Sequence, residues 1–179
     1  MIETERTSLL LMQAENSHLV QAYHRVNREH LAPWEPERDD DFFADESFRK
    51  LGEASNLALL AGTALKFIAV HRASQQMVAS CSFTNIVRGP LLGCNMGYSV
   101  AKEFEGQGLM QEVAAAAIRH MFDAMGLHRI MASHIPSNER SERLLRRLGF
   151  EREGYARSYL KIAGRWHDMV LNSLINPNG

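Results

Sequence analysis

Cysteine occurs only twice in 179 residues, at Cys81 and Cys94, both inside stretches that read as strands and neither flanked by histidine at metal-ligand spacing. That excludes a disulfide scaffold and a thiolate metal site, and leaves two buried thiols suited to a reducing compartment. An excess of either charge is missing too: 20 Lys and Arg face 21 Asp and Glu. No global field then draws the chain to nucleic acid or to an anionic membrane, and any anion site must be local. No apolar run is long enough to cross a bilayer, and the opening MIETERTSLLLMQAEN puts acids where a signal peptide has basic residues. A cytoplasmic protein without membrane or direct nucleic-acid partners is expected. Repeats, linkers and low-complexity tracts are absent, so residues 1–179 read as a single domain, with enough apolar content, 45%, for a substantial core.

What is present is periodicity. Arg6 to Gln13 reads as a strand. Asn16 or Ser17 then caps a helix with Leu19, Tyr23, Val26 and His30 at helical spacing, stopped by Pro33 and Pro36. After the loop LAPWEPERDDD, a second helix is predicted over Phe43 to Ala61, led by Asp39 to Asp41 and closed by Gly62. LKFIAVHR and the alternating set Met77, Ala79, Cys81, Phe83 make a hairpin about Ser74 to Gln76. LLGCNMGYSVA adds a strand in which Gly97 signals a bulge or a close backbone approach. A helix over Leu109 to Met125 has only Glu112, Arg119 and Asp123 as charged residues, a thin polar stripe, and must be largely buried. The strand HRIMASHI follows, then a helix capped by Asn138 and ended by Gly149, then two strands joined at Ala163-Gly164. This order predicts an α/β chain of mixed α+β character, a sheet with helices on its faces.

Two stretches carry chemistry. Gly106-Gln107-Gly108 stands directly before the buried helix. Glycines there let the backbone turn tightly, so that N–H groups converge with the helix dipole on an anion such as a pyrophosphate; an ordinary strand-to-helix turn has the same spelling. GxxxxGK[ST] is absent, which disfavours a Walker-type nucleotide site, and no third glycine sits at dinucleotide-binding spacing. The second stretch, IPSNERSERLLRRLGFEREGY, places Asn138 and Ser141 on one face of a helix's first turn, where they either cap it or face a ligand.

Taken together, GYSVAKEFEGQGLM, HRIMASHIPSNERS, LLRRLGFEREGYA and the final GRWHDMVL resemble the GNAT superfamily of acetyl-coenzyme A-dependent N-acetyltransferases. With NREHLAPWEP and SFTNIVRG, they resemble its Rim branch, which acetylates N-terminal amines of ribosomal proteins. The likeness covers nearly the whole chain. It departs at Glu105 and Met110, where the superfamily's pyrophosphate motif has Gln or Arg and Gly or Ala. It implies the GNAT fold, a largely antiparallel twisted sheet of about seven strands with a central splay and about four flanking helices. It implies acetyl-CoA as donor, no metal, and the α-amine of a ribosomal protein's N-terminal residue, alanine, as acceptor, with ribosome association a further possibility.

Residue by residue, the resemblance implies that the backbone of Tyr98, Ser99 and Val100 pairs with the pantetheine arm. Gly106, Gln107, Gly108, Leu109 and Met110 would hold the pyrophosphate. Asn138 and Ser141 would face the thioester, and Arg140, Arg143 or Arg146 the nucleotide's phosphates.

An α-amine titrates near ~8 and a lysine near ~10.4, a gap of about 3.4 kcal/mol that an enzyme acting on N-termini need not supply. A weakly placed carboxylate then suffices as base. Glu35, between two prolines, is the candidate, or else an exposed loop acid; His134 is an alternative base. Trp34 walls the acceptor groove or plugs the core. For the leaving thiolate, Ser141 is the first hydroxyl donor and Tyr155 the second, and a backbone N–H near Val100 would polarise the carbonyl. Two other readings stand beside this one: acetylation of a small amine (a polyamine, drug or amino acid) in a pocket made acidic by ERDDDFF, and a ribosome-assembly factor whose acetylation is secondary.

Overall fold

The computed structural model describes residues 1–178. Its strands are Ile2–Glu3 (β1), Thr7–Leu11 (β2), Leu65–His71 (β3), Met77–Val87 (β4), Gly93–Val100 (β5), Arg129–His134 (β6), Glu151–Ile162 (β7) and Arg165–Ile175 (β8). Its helices are Ser17–Val26 (α1), Arg28–Leu31 (α2), Asp45–Leu60 (α3), Leu109–Asp123 (α4) and Glu139–Arg147 (α5). The strands form one sheet in the order β1-β2-β3-β4-β5-β6-β8-β7. Every neighbouring pair is antiparallel except β5 with β6. A parallel pair needs a crossover, and α4 supplies it.

The alternation in β4 sorts two cores onto the two faces of the sheet. Ala79, Cys81 and Phe83 join Val113, Ala117 and Met121 of α4 and Leu145 of α5 on one face. Val20 and Tyr23 of α1, Phe48 of α3, Ile68 and Val70 fill the other. Phe48 is fully buried, and a buried phenylalanine stabilises by about 2–3 kcal/mol. Both cysteines are free and buried in the first core, and burial pushes the Cys94 thiol up to about 12.

The expected order of elements is present, with differences that have local causes. The sheet has eight strands because Ile2–Glu3 adds a short edge to β2. The first long strand starts at Thr7, since Arg6 turns its backbone N–H and its guanidinium to Glu112 of α4. The first helix does not run on to His30. Asn27 breaks it, its side chain donating to the Tyr23 carbonyl and accepting from the Lys102 N–H, and the chain restarts as α2. Val26, placed by spacing on the apolar stripe, is 85% exposed. Phe43 belongs to a short 3₁₀ turn capped by Asp39, and α3 begins at Asp45. Of the bulge or close backbone approach expected at Gly97, the bulge lies instead in β4, where the register slips between Thr84 and Val87 and Asn85 has φ 51°. Gly97 stays in register opposite Ser82.

Candidate active site

The parallel pairing of β5 with β6 covers Gly93–Arg129, Cys94–Ile130 and Asn95–Met131 and then ceases, although β5 continues to Val100 and β6 to His134. The sheet splays open at this point, and a cleft of about 740 Å³ passes between the two strands. The pleat decides which backbone groups face it. Ala101 donates its N–H to Val78 beside β4, while the Leu92 carbonyl accepts from His128 and Arg129 at the start of β6. Backbone groups of successive strand residues point to opposite sides, so Tyr98 and Val100 direct theirs into the splay and Ser99 directs its own to β4. The expected three-residue edge is therefore two residues, with Ser99 present through its side chain: its Oγ accepts from the buried Tyr23 hydroxyl at 2.8 Å and lies 2.9 Å from Ser80 Oγ.

At the mouth of the splay, Gly106 and Gly108 have φ of 72° and 74°, a region costly for residues with a Cβ. Gly108 caps α4, and a Cβ on either glycine would point into open space. The first N–H groups of α4 have no side-chain cap, and Gly108, Leu109, Met110 and Gln111 line the cleft. Arg6 tethers the turn from behind by donating to the Gln107 carbonyl at 3.0 Å, and the Gln107 side chain folds back onto the Glu103 carbonyl. The lining holds four arginines, Arg38, Arg140, Arg143 and Arg147, against two carboxylates, Glu35 and Glu105, a balance that favours an anionic occupant.

Deeper in, Tyr98 Oη and Ser141 Oγ are 2.5 Å apart, joining β5 to the first turn of α5. Burial pushes the Tyr98 hydroxyl up to about 12, the bond to Ser141 opposing, so it stays protonated and able to donate. Asn138 caps α5, its Oδ1 accepting the Ser141 N–H at 3.1 Å. On the opposite face of the sheet, Trp34 and Glu35 wall the same cleft. Burial raises the Glu35 carboxyl above its ordinary value, with Arg38 opposing. His24 Nδ1 lies 3.8 Å from this carboxylate, and burial, then Arg38, lower the His24 imidazole to about 4. At neutral pH that histidine is uncharged. The Glu35 carbonyl accepts from Ala163 N–H, so the β7–β8 turn holds the Trp34–Pro36 loop in place.

The acetyltransferase (GNAT) domain family matches residues 8–151. The chain belongs to the GNAT acetyltransferase family. Over 99% of its length and 91% of the relative's, it is 37% identical to the ribosomal protein uS5-alanine N-acetyltransferase of Escherichia coli. The crystal structure of the ribosomal-protein-S5-alanine acetyltransferase of Vibrio fischeri superposes with a TM-score of 0.93 at 36% identity, covering 98% of this chain and 96% of that one. Mycobacterium smegmatis RimJ in complex with CoA-disulfide superposes with a TM-score of 0.91 at 25% identity, covering 99% and 88%.

In this GNAT acetyltransferase the cleft gathers Trp34, Glu35, Tyr98, Ser99, Val100, Gly106, Gly108, Leu109, Met110, Asn138 and Ser141, with Arg140 and Arg143 at its rim. Arg140 is engaged: its Nη1 donates to both oxygens of Glu105, at 2.7 and 2.6 Å, spanning the cleft from α5 to the glycine turn. Arg143 pairs with Glu139 one turn back. Three expected residues are not in the cleft lining: Gln107, whose side chain folds back onto the Glu103 carbonyl, Tyr155 and Arg146. Tyr155 donates to Asp168 at 2.6 Å and, with Arg146, lines a separate hollow of about 320 Å³ beneath α5. The register bulges between Arg152 and Gly154 and again between Ala156 and Leu160, and β7 lies at the sheet edge, beyond β8. The hydroxyl beside Ser141 belongs to Tyr98, from which the resemblance implies only a backbone contribution. Tyr23, His24 and His30 also reach this region unforeseen; His30 Nε2 lies 3.2 Å from the Val100 carbonyl. No short-range spacing links any of them to the motifs.

Proposed function

We propose that the chain transfers an acetyl group from acetyl-CoA to the α-amine of an N-terminal alanine on a ribosomal protein, uS5 being the leading candidate, in the cytoplasm. The observation that carries this reading is the end-to-end likeness to uS5-alanine N-acetyltransferases across a splayed sheet whose cleft ends at a protonated hydroxyl pair. Acetyl-CoA supplies an acyl group activated as a thioester. The residues present fit it: open space over Gly106 and Gly108 admits a diphosphate to the α4 N–H groups, and the Tyr98 and Val100 backbone offers a pantetheine arm the edge of a strand.

On the acceptor side, Glu35 orients the incoming amine and, with a carboxyl raised by burial, serves as a weak base. An α-amine near ~8 asks no more of it, being already about a tenth neutral at pH 7. The Val100 N–H polarises the carbonyl. Ser141, hydrogen-bonded to Tyr98 and seated at the start of α5, donates to the departing sulfur, where the helix end favours negative charge.

The polyamine reading loses its acidic pocket. Asp39 caps the 3₁₀ turn, Asp40 pairs with Arg28, and Asp39, Asp40 and Asp41 are all absent from the cleft lining. Purified protein, acetyl-CoA and a panel of Ala-, Ser- and Met-start peptides, spermidine and ribosomal RNA test the proposal. Fastest turnover on an alanine-start uS5 peptide is expected. Turnover on spermidine alone, or RNA binding without acetylation, overturns it.

A further inference from the structure

One polar atom of the described side chains is buried and without a partner: Nε2 of His134. The residue is 4% exposed at the end of β6, and its ring stands in the wall shared by the cleft and the smaller hollow. Its tautomer follows from its other nitrogen. Nδ1 lies 3.0 Å from the Ile135 carbonyl, which can only accept, so in the neutral ring Nδ1 carries the proton and Nε2 presents a bare lone pair. A buried acceptor left unpaired is destabilising unless something enters to satisfy it.

The pleat says which end of the reaction it meets. Ala132 and Ile130, two and four residues before His134, belong to the core beneath α4 and α5, and side chains two apart share a face. His134 is therefore on the side of Tyr98 and Ser141, where the sulfur is expected, and away from Trp34 and Glu35. A thioester carries no hydrogen on sulfur; the free thiol does.

We infer that His134 is the subsite for the thiol of coenzyme A, its Nε2 accepting the S–H hydrogen once the acetyl group has left. This rests on the acetyl-transfer reading and deepens it. The consequence is product retention: CoA competes against acetyl-CoA more strongly than the shared nucleotide and pantetheine contacts would give. Glu142 and Arg146 of α5 and Arg152 and Tyr155 of β7 line the hollow on the far side of the ring, so titrations must be compared at one pH and ionic strength.

The test is calorimetry of reduced CoA and of S-methyl-CoA, a thioether with no S–H, on the wild type and on His134→Asn. Asparagine can keep the donor to Ile135 while deleting the far nitrogen. The wild type should prefer CoA roughly tenfold, the equivalent of one ordinary hydrogen bond, and His134→Asn should bind the two within about twofold of each other. Equal binding by the wild type, or a preference that survives in His134→Asn, overturns the inference while leaving acetyl transfer intact. Binding of neither ligand sinks the acetyl-transfer reading itself. Should the variant misfold, ¹⁵N-histidine spectra of the wild type decide: the unprotonated His134 nitrogen must move with CoA and not with S-methyl-CoA.

Discussion

The hydroxyls of Tyr98 and Ser141 share a hydrogen bond although the residues lie on different elements, one on the strand that ends at the splay and one on the first turn of α5. Two donors coupled in this way behave as a unit, because removing either strands the other. Ser141→Ala and Tyr98→Phe are each expected to lower kcat by about a hundredfold with the Kd for CoA within about threefold, and the double variant should be little worse than the poorer single. Steady-state kinetics with parallel calorimetry checks this; equal loss of turnover and affinity would return Ser141 to a mere helix-turn residue.

Glu105 occupies the position where the family's glycine motif usually carries Gln or Arg, and its charge is held by Arg140, with His30 Nε2 3.7 Å away. A carboxylate beside a diphosphate site opposes binding and keeps a guanidinium from the ligand. Glu105→Gln should tighten CoA by about fivefold at low salt, the gain shrinking as ionic strength rises. Weaker binding in this variant would mean that the ion pair orders the turn.

His24 is packed edge-on against Tyr23 and Phe42 and tilted over Phe48, and burial holds its imidazole at about 4 against an ordinary 6.5. The unfolded chain therefore takes up a proton below 6.5 that the folded chain refuses until about 4, so stability falls with pH across that window, by roughly 3 kcal/mol. His24→Phe should flatten the decline. Midpoints of urea unfolding between pH 7 and pH 4 provide the measurement, and parallel curves for the two proteins would refute it.

Glu35 has the opposite sign. Burial raises its carboxyl, so the folded chain holds the proton more tightly than the unfolded one, and whatever stability this gives at low pH is lost as pH climbs through the folded value. Glu35→Gln is expected to melt higher than the wild type at pH 7 while kcat/KM for an alanine-start peptide drops tenfold or more. A variant with full activity would remove the carboxylate from the reaction.

Local rules foresaw the glycine turn, the Asn138 cap and the alternation of β4, because each is written in neighbouring residues: positive φ needs Gly106 and Gly108, a first turn needs a short polar acceptor, and a half-buried strand needs period two. They failed where distant contacts decide. The break at Asn27 depends on Lys102, and the early end of the first strand depends on Glu112. Tyr98 and Tyr155 look alike as strand tyrosines; only the order of strands, with β5 bordering the splay and β7 at the edge, puts one beside Ser141 and the other beside Asp168. The splay was anticipated from family likeness alone, since nothing between Gly93 and Val100 encodes where β6 leaves.

The bond from Ala163 to the Glu35 carbonyl means that the groove proposed for the incoming amine is stitched together from early and late portions of the polypeptide, whereas the glycine turn proposed to hold the donor lies in mid-chain. A nascent enzyme would then gain its grip on the donor before it can choose an acceptor, and changes in the terminal hairpin can retune what is acetylated without disturbing what does the acetylating.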